Sequence, residues 1–340
     1  MRAIVYSEPG SPEVLRLVDR PEPEPGPGEV LVRVAVSGVN PTDWKFRRGT
    51  GAGSAAGSAE LVPGQDGAGT IVSVGDGVAS SRIGERVWLW EAAFRRTSGT
   101  TQELLAIPTV QAVQLPDAAS FDLGASVGIP AMTAHRCLTV GEGFPHRLGP
   151  GALSGRTVLV AGGAGAVGHA AIELARWAGA HQVIATVSSP EKERLAEAAG
   201  AHHVVNYRTG EAAGEIRRVA SDGVDLIVEV APVTNALLDA AVLAPGGTVA
   251  GYASTGGDLQ LPVAPVMWLN ARWQFVLVYT MPWEAKGAAV EAISAAVADG
   301  ALRVGAAAGL PVHRFPLDRT AEAQAAVEGG AVGKVLIDVA

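Results

Sequence analysis

Thr157-Val158-Leu159-Val160-Ala161-Gly162-Gly163-Ala164-Gly165-Ala166-Val167-Gly168 decides the fold. The opening run, Thr157 to Ala161, shows no polar alternation, which predicts a strand buried on both faces. Ala166 to Ala178 continues as a helix, with Ile172, Leu174 and Ala175 available for packing. Between them Gly163, Gly165 and Gly168 make G-x-G-x-x-G. In a chain with 43 glycines that pattern alone says little, and a glycine-rich turn with no ligand is the plain alternative. A buried strand before it and an apolar helix after it are the setting in which it binds a dinucleotide. Gly163 permits the tight turn, Gly165 lets the backbone approach a pyrophosphate, and Gly168 lets helix and strand pack closely. Ala164, Ala166 and Val167 complete the loop, and the helix N-terminus supplies free N–H groups and a partial positive charge.

The following strand, His181 to Val187, selects the dinucleotide. An acid at its end would bind the ribose 2′-hydroxyl of NAD. Here the chain reads Val187-Ser188-Ser189-Pro190, with Lys192 three residues beyond Ser189. Small hydroxyls plus a cation suit a 2′-phosphate, and Tyr207 adds a hydroxyl or a stacking face. The competing reading makes Lys192 a solvated residue at a helix start. The expectation is NADPH rather than NADH.

Beyond this core, Pro190 to Ala199 reads as a helix, Val204-Val205 and Asp225 to Val230 as strands, and Thr234 to Leu243 as a helix. Gly247 to Tyr252 and Phe275 to Tyr279 read as further strands. Such alternation predicts an α/β fold with a doubly wound parallel sheet over residues 122–280. Residues 1–121 read as β-rich. Arg2 to Tyr6 and Leu15 to Val18 suggest a hairpin, Glu29 to Val36 alternates around valines, and Gly69 to Val74 and Arg86 to Leu89 follow. Glycine-punctuated strands at this spacing suggest a partly open barrel. The helix Glu284 to Ala298 and the strand Val335 to Val339 are expected to return to it, so that 281–340 joins 1–121. Residues 51–59 are low in complexity, either a surface loop or a lid over a site.

Composition narrows the classes of function. The 340 residues are 48% hydrophobic and 18% charged, enough to bury large cores. A net charge of -8 argues against a general nucleic-acid binder or a protein drawn to anionic membranes. The lone Cys137 rules out an intrachain disulfide and thiolate-rich zinc sites, and fits a cytoplasmic protein. The start of the chain reads as a strand and a turn rather than a signal peptide, and no apolar run reaches the length of a membrane span. The seven histidines show no paired-ligand spacing.

The chain resembles the medium-chain dehydrogenases/reductases, above all the zinc-independent quinone oxidoreductases related to zeta-crystallin. The resemblance runs along essentially the whole chain. It is carried by Gly38-Val39-Asn40-Pro41-Thr42-Asp43, Pro63-Gly64-Gln65-Asp66-Gly67-Ala68-Gly69, Gly84-Glu85-Arg86-Val87, Gly128-Ile129-Pro130-Ala131-Met132-Thr133-Ala134, the glycine-rich loop, Val205-Asn206-Tyr207-Arg208 and Gly333-Lys334-Val335. It implies a Rossmann-type NADPH-binding domain, a GroES-like catalytic domain, binding of NADPH in the cleft between them, and a homodimer paired through the Phe275–Tyr279 sheet edge. The zinc members carry Cys where this chain has Asn40, and His-Glu where it has Gln65-Asp66, so the resemblance implies chemistry without a metal.

The same resemblance places Asn40 at the floor of the site, donating to a carbonyl or fixing the ribose, and Thr42 where the zinc enzymes keep a relay hydroxyl. Lys45 stands where a tyrosine is common: either an ammonium acting on the acceptor or a surface lysine over Trp44. Thr100-Thr101 replaces a usual Gly-Tyr, which points to an altered acceptor pocket. Trp88 and Trp90 share a strand face, to stack on an aromatic acceptor or to fill the core. Further cofactor contacts are implied at Thr133, Ala231, Tyr252, Ser254, Phe275, Val276, Leu277 and Lys334. The function expected is NADPH-dependent hydride transfer to a quinone or related conjugated carbonyl. The alternatives are reduction of an activated C=C bond in an enone, alkenal or enoyl thioester, and an NADPH-binding protein without catalysis.

Overall fold

The computed structural model describes residues 1–50, 60–254 and 256–339; the 51–59 segment, read above as loop or lid, lies outside them. Contacts divide the chain into two compact units, Met1–Ile129 with Val312–Ala340, and Pro130–Pro311.

The first unit opens on an antiparallel hairpin, β1 (Arg2–Val5) and β2 (Arg16–Asp19). β3 (Glu29–Val39) follows the Pro/Gly-rich stretch, and its alternating valines Val30, Val32 and Val34 are fully buried. Pro41 then starts α1 (Pro41–Arg47), with Asn40 as its N-cap. Next come β4 (Asp66–Val74), β5 (Arg86–Leu89), β6 (Leu104–Pro108) and β7 (Ala112–Gln114). Helix α2 (Phe121–Thr139) crosses the division between the units, at the Pro130 in its middle.

The second unit is an alternating chain: β8 (Thr157–Ala161), α3 (Ala166–Trp177), β9 (Gln182–Val187), α4 (Pro190–Ala198), β10 (His203–Asn206), α5 (Ala212–Val219), β11 (Val224–Glu229), α6 (Pro232–Val242), β12 (Leu243–Gly251), α7 (Val263–Trp268), β13 (Arg272–Phe275) and α8 (Trp283–Ala298). All its strands pair in parallel, in the order β10-β9-β8-β11-β12-β13. That is a doubly wound sheet whose strand order reverses between β8 and β11.

The chain then returns to the first unit as β14 (Val312–Pro316), α9 (Thr320–Glu328) and β15 (Lys334–Asp338). β15 lies between β14 and β3, antiparallel to β3 with Val335 opposite Val39. The resulting mixed sheet runs β14-β15-β3-β4-β5-β7, with β6 on β3. Its core joins Val30, Val32, Ile71, Val87 and Leu105 to Leu317, Ala323 and Ile337 from the returning segment.

Two sequence expectations shift. The strand expected at Phe275–Tyr279 is found at Arg272–Phe275, and Val278–Thr280 is a 3-10 turn. β12 ends at Gly251, opposite Phe275, so the ladder runs out and Val278 and Tyr279 are buried instead. Lys286 holds the turn by donating to the Tyr279 carbonyl at 3.1 Å. The return to the first unit falls at Val312 rather than 281. Helix α8 is tied to the second unit through Arg147–Glu291, and the adjoining Asp299 and Arg303 bond Trp177 and Glu173.

α9 fixes α1 through a fully buried arginine. Arg47 donates to Gln324 Oε1 at 2.7 Å, to Glu328 Oε2 at 2.9 Å and to the Gly10 carbonyl. Removing the guanidinium strands Gln324 Oε1 and the Gly10 carbonyl, while Glu328 keeps its pair with Arg48. Arg47→Met should cost about 2–4 kcal/mol of stability, read as a lowered urea midpoint; an unchanged midpoint would show that these bonds do not hold α1.

Candidate active site

In a parallel sheet every strand ends at the same edge, so loops distant in sequence meet there. At the end of β8, Gly162 takes a φ of 71° and Gly162 and Gly163 both donate to the Thr186 carbonyl. A Cβ on Gly163 would stand 2.8 Å from the Ala185 Cβ, and one on Gly168 would stand 2.3 Å from the Gly162 oxygen. At Gly165 the space is open: a Cβ would meet only the Gly162 oxygen, at 3.5 Å. Gly165 caps α3 without a side chain, and the first helical bond runs from His169 N to Gly165 O. The N–H groups of Ala166, Val167 and Gly168 therefore have no helical acceptor. Tight packing on two sides and open space on the third fit a bound pyrophosphate.

At the end of β9 the Lys192 ammonium donates to Ser188 Oγ at 3.1 Å, while Ser189 Oγ caps α4 by accepting from Lys192 N at 3.3 Å. Ser188, Ser189 and Lys192 thus form one cluster. Tyr207 follows β10, held by its N–H to the Val187 carbonyl, with an exposed side chain. The ends of β11, β12 and β13 bring Ala231, Tyr252, Ser254, Phe275, Val276 and Leu277 to the same edge. The β11 loop adjoins the glycine loop, since a Cβ on Gly162 would lie 3.1 Å from Val230 Cγ1. Thr133 is buried on α2.

Glu229, absent from the sequence reading, fixes the β11 loop. Its carboxylate accepts from Ala231 N and from Asn235 Nδ2 at 3.0 and 3.2 Å. Asp239 faces it within side-chain hydrogen-bond reach, and no other group donates to either Asp239 oxygen. Burial and the Glu229 charge push Asp239 up to about 9. The acids lie ten residues apart, Glu229 at the end of β11 and Asp239 on α6, and no periodicity of a single element pairs them in the sequence.

In the first unit Asn40 and Lys334 come together. Lys334 Nζ donates to Asn40 Oδ1 at 2.8 Å and lies 3.5 Å from Asp66 Oδ2. Asn40 Nδ2 donates to the same Asp66 oxygen at 2.7 Å, and Asp66 Oδ1 accepts from Ile129 N at 2.8 Å. All three side chains are buried. Burial raises the Asp66 carboxyl and lowers the Lys334 ammonium, and each charge opposes the shift of the other. Asp43 accepts from Asn40 N at 2.7 Å and Gly64 N at 3.2 Å, and burial still pushes it up to about 7. Gln65 is fully buried with neither end of its amide paired, on a cavity of about 20 Å³ shared with Asp43 and Tyr6. That is the room of a single water.

Thr42 and Lys45 are half-buried on α1, with the Lys45 ammonium 5.7 Å over the Trp44 ring. Thr100 and Thr101 spend their hydroxyls on the Asp66 and Pro63 carbonyls. Trp88 and Trp90 are fully buried, as core residues are.

Comparison with known proteins gives the same outline. Residues 166–295 match the family described as zinc-binding dehydrogenase, and residues 26–117 the alcohol dehydrogenase GroES-like domain. A quinone oxidoreductase of Lama guanicoe is 32% identical over 99% of this chain and 97% of its own. An NAD-dependent alcohol dehydrogenase superposes with a TM-score of 0.85 at 28% identity, covering all of both chains. A mycobacterial protein complexed with NADPH gives 0.79 at 29% identity, covering 99% of each. The zinc in the first description is not matched by this chain's donors. Asn40 and Gln65 are amides, and Asp66 is already partnered by the fixed ammonium of Lys334, which would repel a second cation.

The upward shift of the Asp239 carboxyl beside Glu229 has a pH consequence. A carboxyl raised from its ordinary value of about 4 binds its proton more tightly in the folded state, so its contribution is full at low pH and lost as pH rises through about 9. Asp239→Asn keeps a donor to Glu229 and abolishes the titration. Its Tm should gain on that of the parent steadily from about pH 6 to pH 9; a pH-independent difference would show that the Asp239 carboxyl is not shifted.

Proposed function

The chain belongs to the quinone oxidoreductase family of medium-chain dehydrogenases/reductases, and from that premise we propose that it is an NADPH-dependent reductase of quinones and related conjugated carbonyl compounds, working without a metal. The observation that carries the cofactor choice is the end of β9, where Ser188 and Lys192 stand in place of an acid. Two hydroxyls and an ammonium neutralise and hydrogen-bond a 2′-phosphate, whereas a ribose diol gains little from them. The open space over Gly165 and the free N–H groups of α3 receive the pyrophosphate. Bound there, NADPH supplies a hydride from the nicotinamide ring.

The remaining task falls to the first unit. Hydride arriving on a conjugated carbonyl leaves negative charge on oxygen, and a fixed N–H donor lowers the barrier by meeting that charge. Asn40 Nδ2 is that donor in this reading. Thr42 and Lys45 are the proposed source of the proton that follows.

The second unit also offers an interface. β13 is an edge strand, and Trp268 and Phe275 beside it are 78% and 58% exposed. An unpaired apolar edge needs cover, and the proposed occupant is the same edge of a second copy. The compartment proposed is the cytoplasm, where a buried free thiol such as Cys137 stays reduced.

Nicotinamide absorbance should fall with NADPH and an ortho- or para-quinone, and not with NADH. Loss with an enone alone would move the enzyme to double-bond reduction, and binding without turnover would leave a non-catalytic protein. Lys192→Ala should weaken NADPH by roughly 10–100-fold, the worth of one or two charge-assisted hydrogen bonds, and leave NADH nearly unchanged. Equal losses for both cofactors would remove Lys192 from the phosphate site. Light scattering should give twice the mass of one chain, and Phe275→Lys should return it to the mass of one; a parent of single-chain mass rejects the dimer.

A further inference from the structure

A carboxamide has two ends of nearly equal size, and only its partners decide which way it faces. For Asn40 the decision is unusually firm. Its oxygen meets the Lys334 ammonium, which can only donate; its nitrogen meets the Asp66 carboxylate, which can only accept. Turning the amide over would set NH₂ against an ammonium and a carbonyl oxygen against a carboxylate. All three groups are buried, so water relieves neither repulsion.

The surroundings are shaped to hold this arrangement. A Cβ on Gly128 would lie 2.2 Å from Asp66 Oδ1, so that glycine leaves the room the carboxylate fills. One on Gly38 would meet the Ala125 carbonyl oxygen at 2.0 Å and Lys334 Cε at 3.1 Å, so that glycine admits the α2 backbone beside the lysine stem. Ile129 N fixes the second Asp66 oxygen, so the carboxylate cannot swing away from Asn40. Of the two hydrogens on Asn40 Nδ2 one goes to Asp66, and the other meets no acceptor among the described residues.

We infer that Lys334 and Asp66 are positioning residues: they lock the Asn40 amide so that it presents an N–H, and never its oxygen, to a bound molecule. The atom received there is an acceptor, a carbonyl oxygen whose hold tightens as it gains negative charge. Lys334 acts through Asn40 and not by touching the cofactor. The kinetic consequence rests on the reductase reading above; the lock itself does not.

Two measurements separate them. In protein carrying ¹⁵N in its asparagine side chains, the Asn40 NH₂ pair is identified by its loss in Asn40→Asp. In the parent its two hydrogens should be widely separated in shift and slow to exchange. Lys334→Met should narrow the separation and speed exchange about tenfold, as expected for one lost hydrogen bond. A pair unchanged in Lys334→Met overturns the lock, whatever the enzyme does.

The second arm uses a para-quinone. Lys334→Met should lower kcat roughly 10–100-fold, somewhat less than outright loss of an oxyanion donor, with the KM for NADPH within about threefold of the parent. Lys334→Arg should recover part of the rate, because a guanidinium also only donates. A change confined to the KM for NADPH would make Lys334 a cofactor contact and overturn the inference. Lys334→Met leaves Asp66 buried without its counter-charge, so Asp66→Asn combined with Lys334→Met guards against a mere folding defect. That double variant should be as slow as the single one, and parent-like turnover in it also overturns the inference. A parent that reduces no acceptor while its amide pair behaves as expected would sink the reductase reading and leave the lock standing.

Discussion

The second unit is built on one close approach, Gly168 against the carbonyl of Gly162, where even a methyl group would stand 2.3 Å from oxygen. That contact sets α3 directly over the end of β8 and aims its first-turn N–H groups at the space above Gly165. Because the sheet is parallel, the ends of β9, β11, β12 and β13 are delivered to the same edge without further instruction. Polar side chains stand on those ends. Ser188 and Lys192 sit on one, and the Glu229–Asp239 pair braces another. A backbone constraint places the glycine-rich turn, and polar groups surround it.

The first unit follows a different logic. Its apolar shell is ordinary, valines and leucines of β3, β4, β5 and β6 meeting those of the returning segment. Inside lie Asp43, Arg47, Asp66 and Lys334, all nearly or fully buried. Buried charges of this kind add little net stability compared with apolar residues of the same size. Their value here is direction. Each has partners of one chemical sense only, so each can be satisfied in one arrangement, and Asn40 inherits its orientation from them.

Local patterning made much of this legible. Thr157–Ala161 and Arg86–Leu89 have the limits in the structure that their residues predict, and each follows a turn-forming glycine, Gly155 and Gly84. The order Gly163, Gly165, Gly168 carried the tight turn from β8 into α3. What failed was whatever depends on a partner elsewhere. The last strand of the parallel sheet is only as long as β12 lets it be, and an apolar run such as Phe275–Tyr279 does not report where its neighbour stops. Helix α8 has the composition of a buried helix, but its residues do not state which sheet it covers. The tie between Asn40 and Lys334 joins residues 294 apart. The faint trace of that cluster is Gly128, a glycine inside a helix that makes room for the Asp66 carboxylate.

The discontinuity of the first unit also gives its assembly an order in time. The second unit is one continuous segment, 130–311, and can close as soon as it has been synthesised. The first cannot. β15 must insert between β14 and β3, and it brings the ammonium that neutralises Asp66. Until the ribosome has delivered that strand, a nascent chain holds two carboxyl groups, Asp43 and Asp66, at a place that will become dry. Asp66 therefore gains its buried counter-charge only with one of the last strands of the chain, β15.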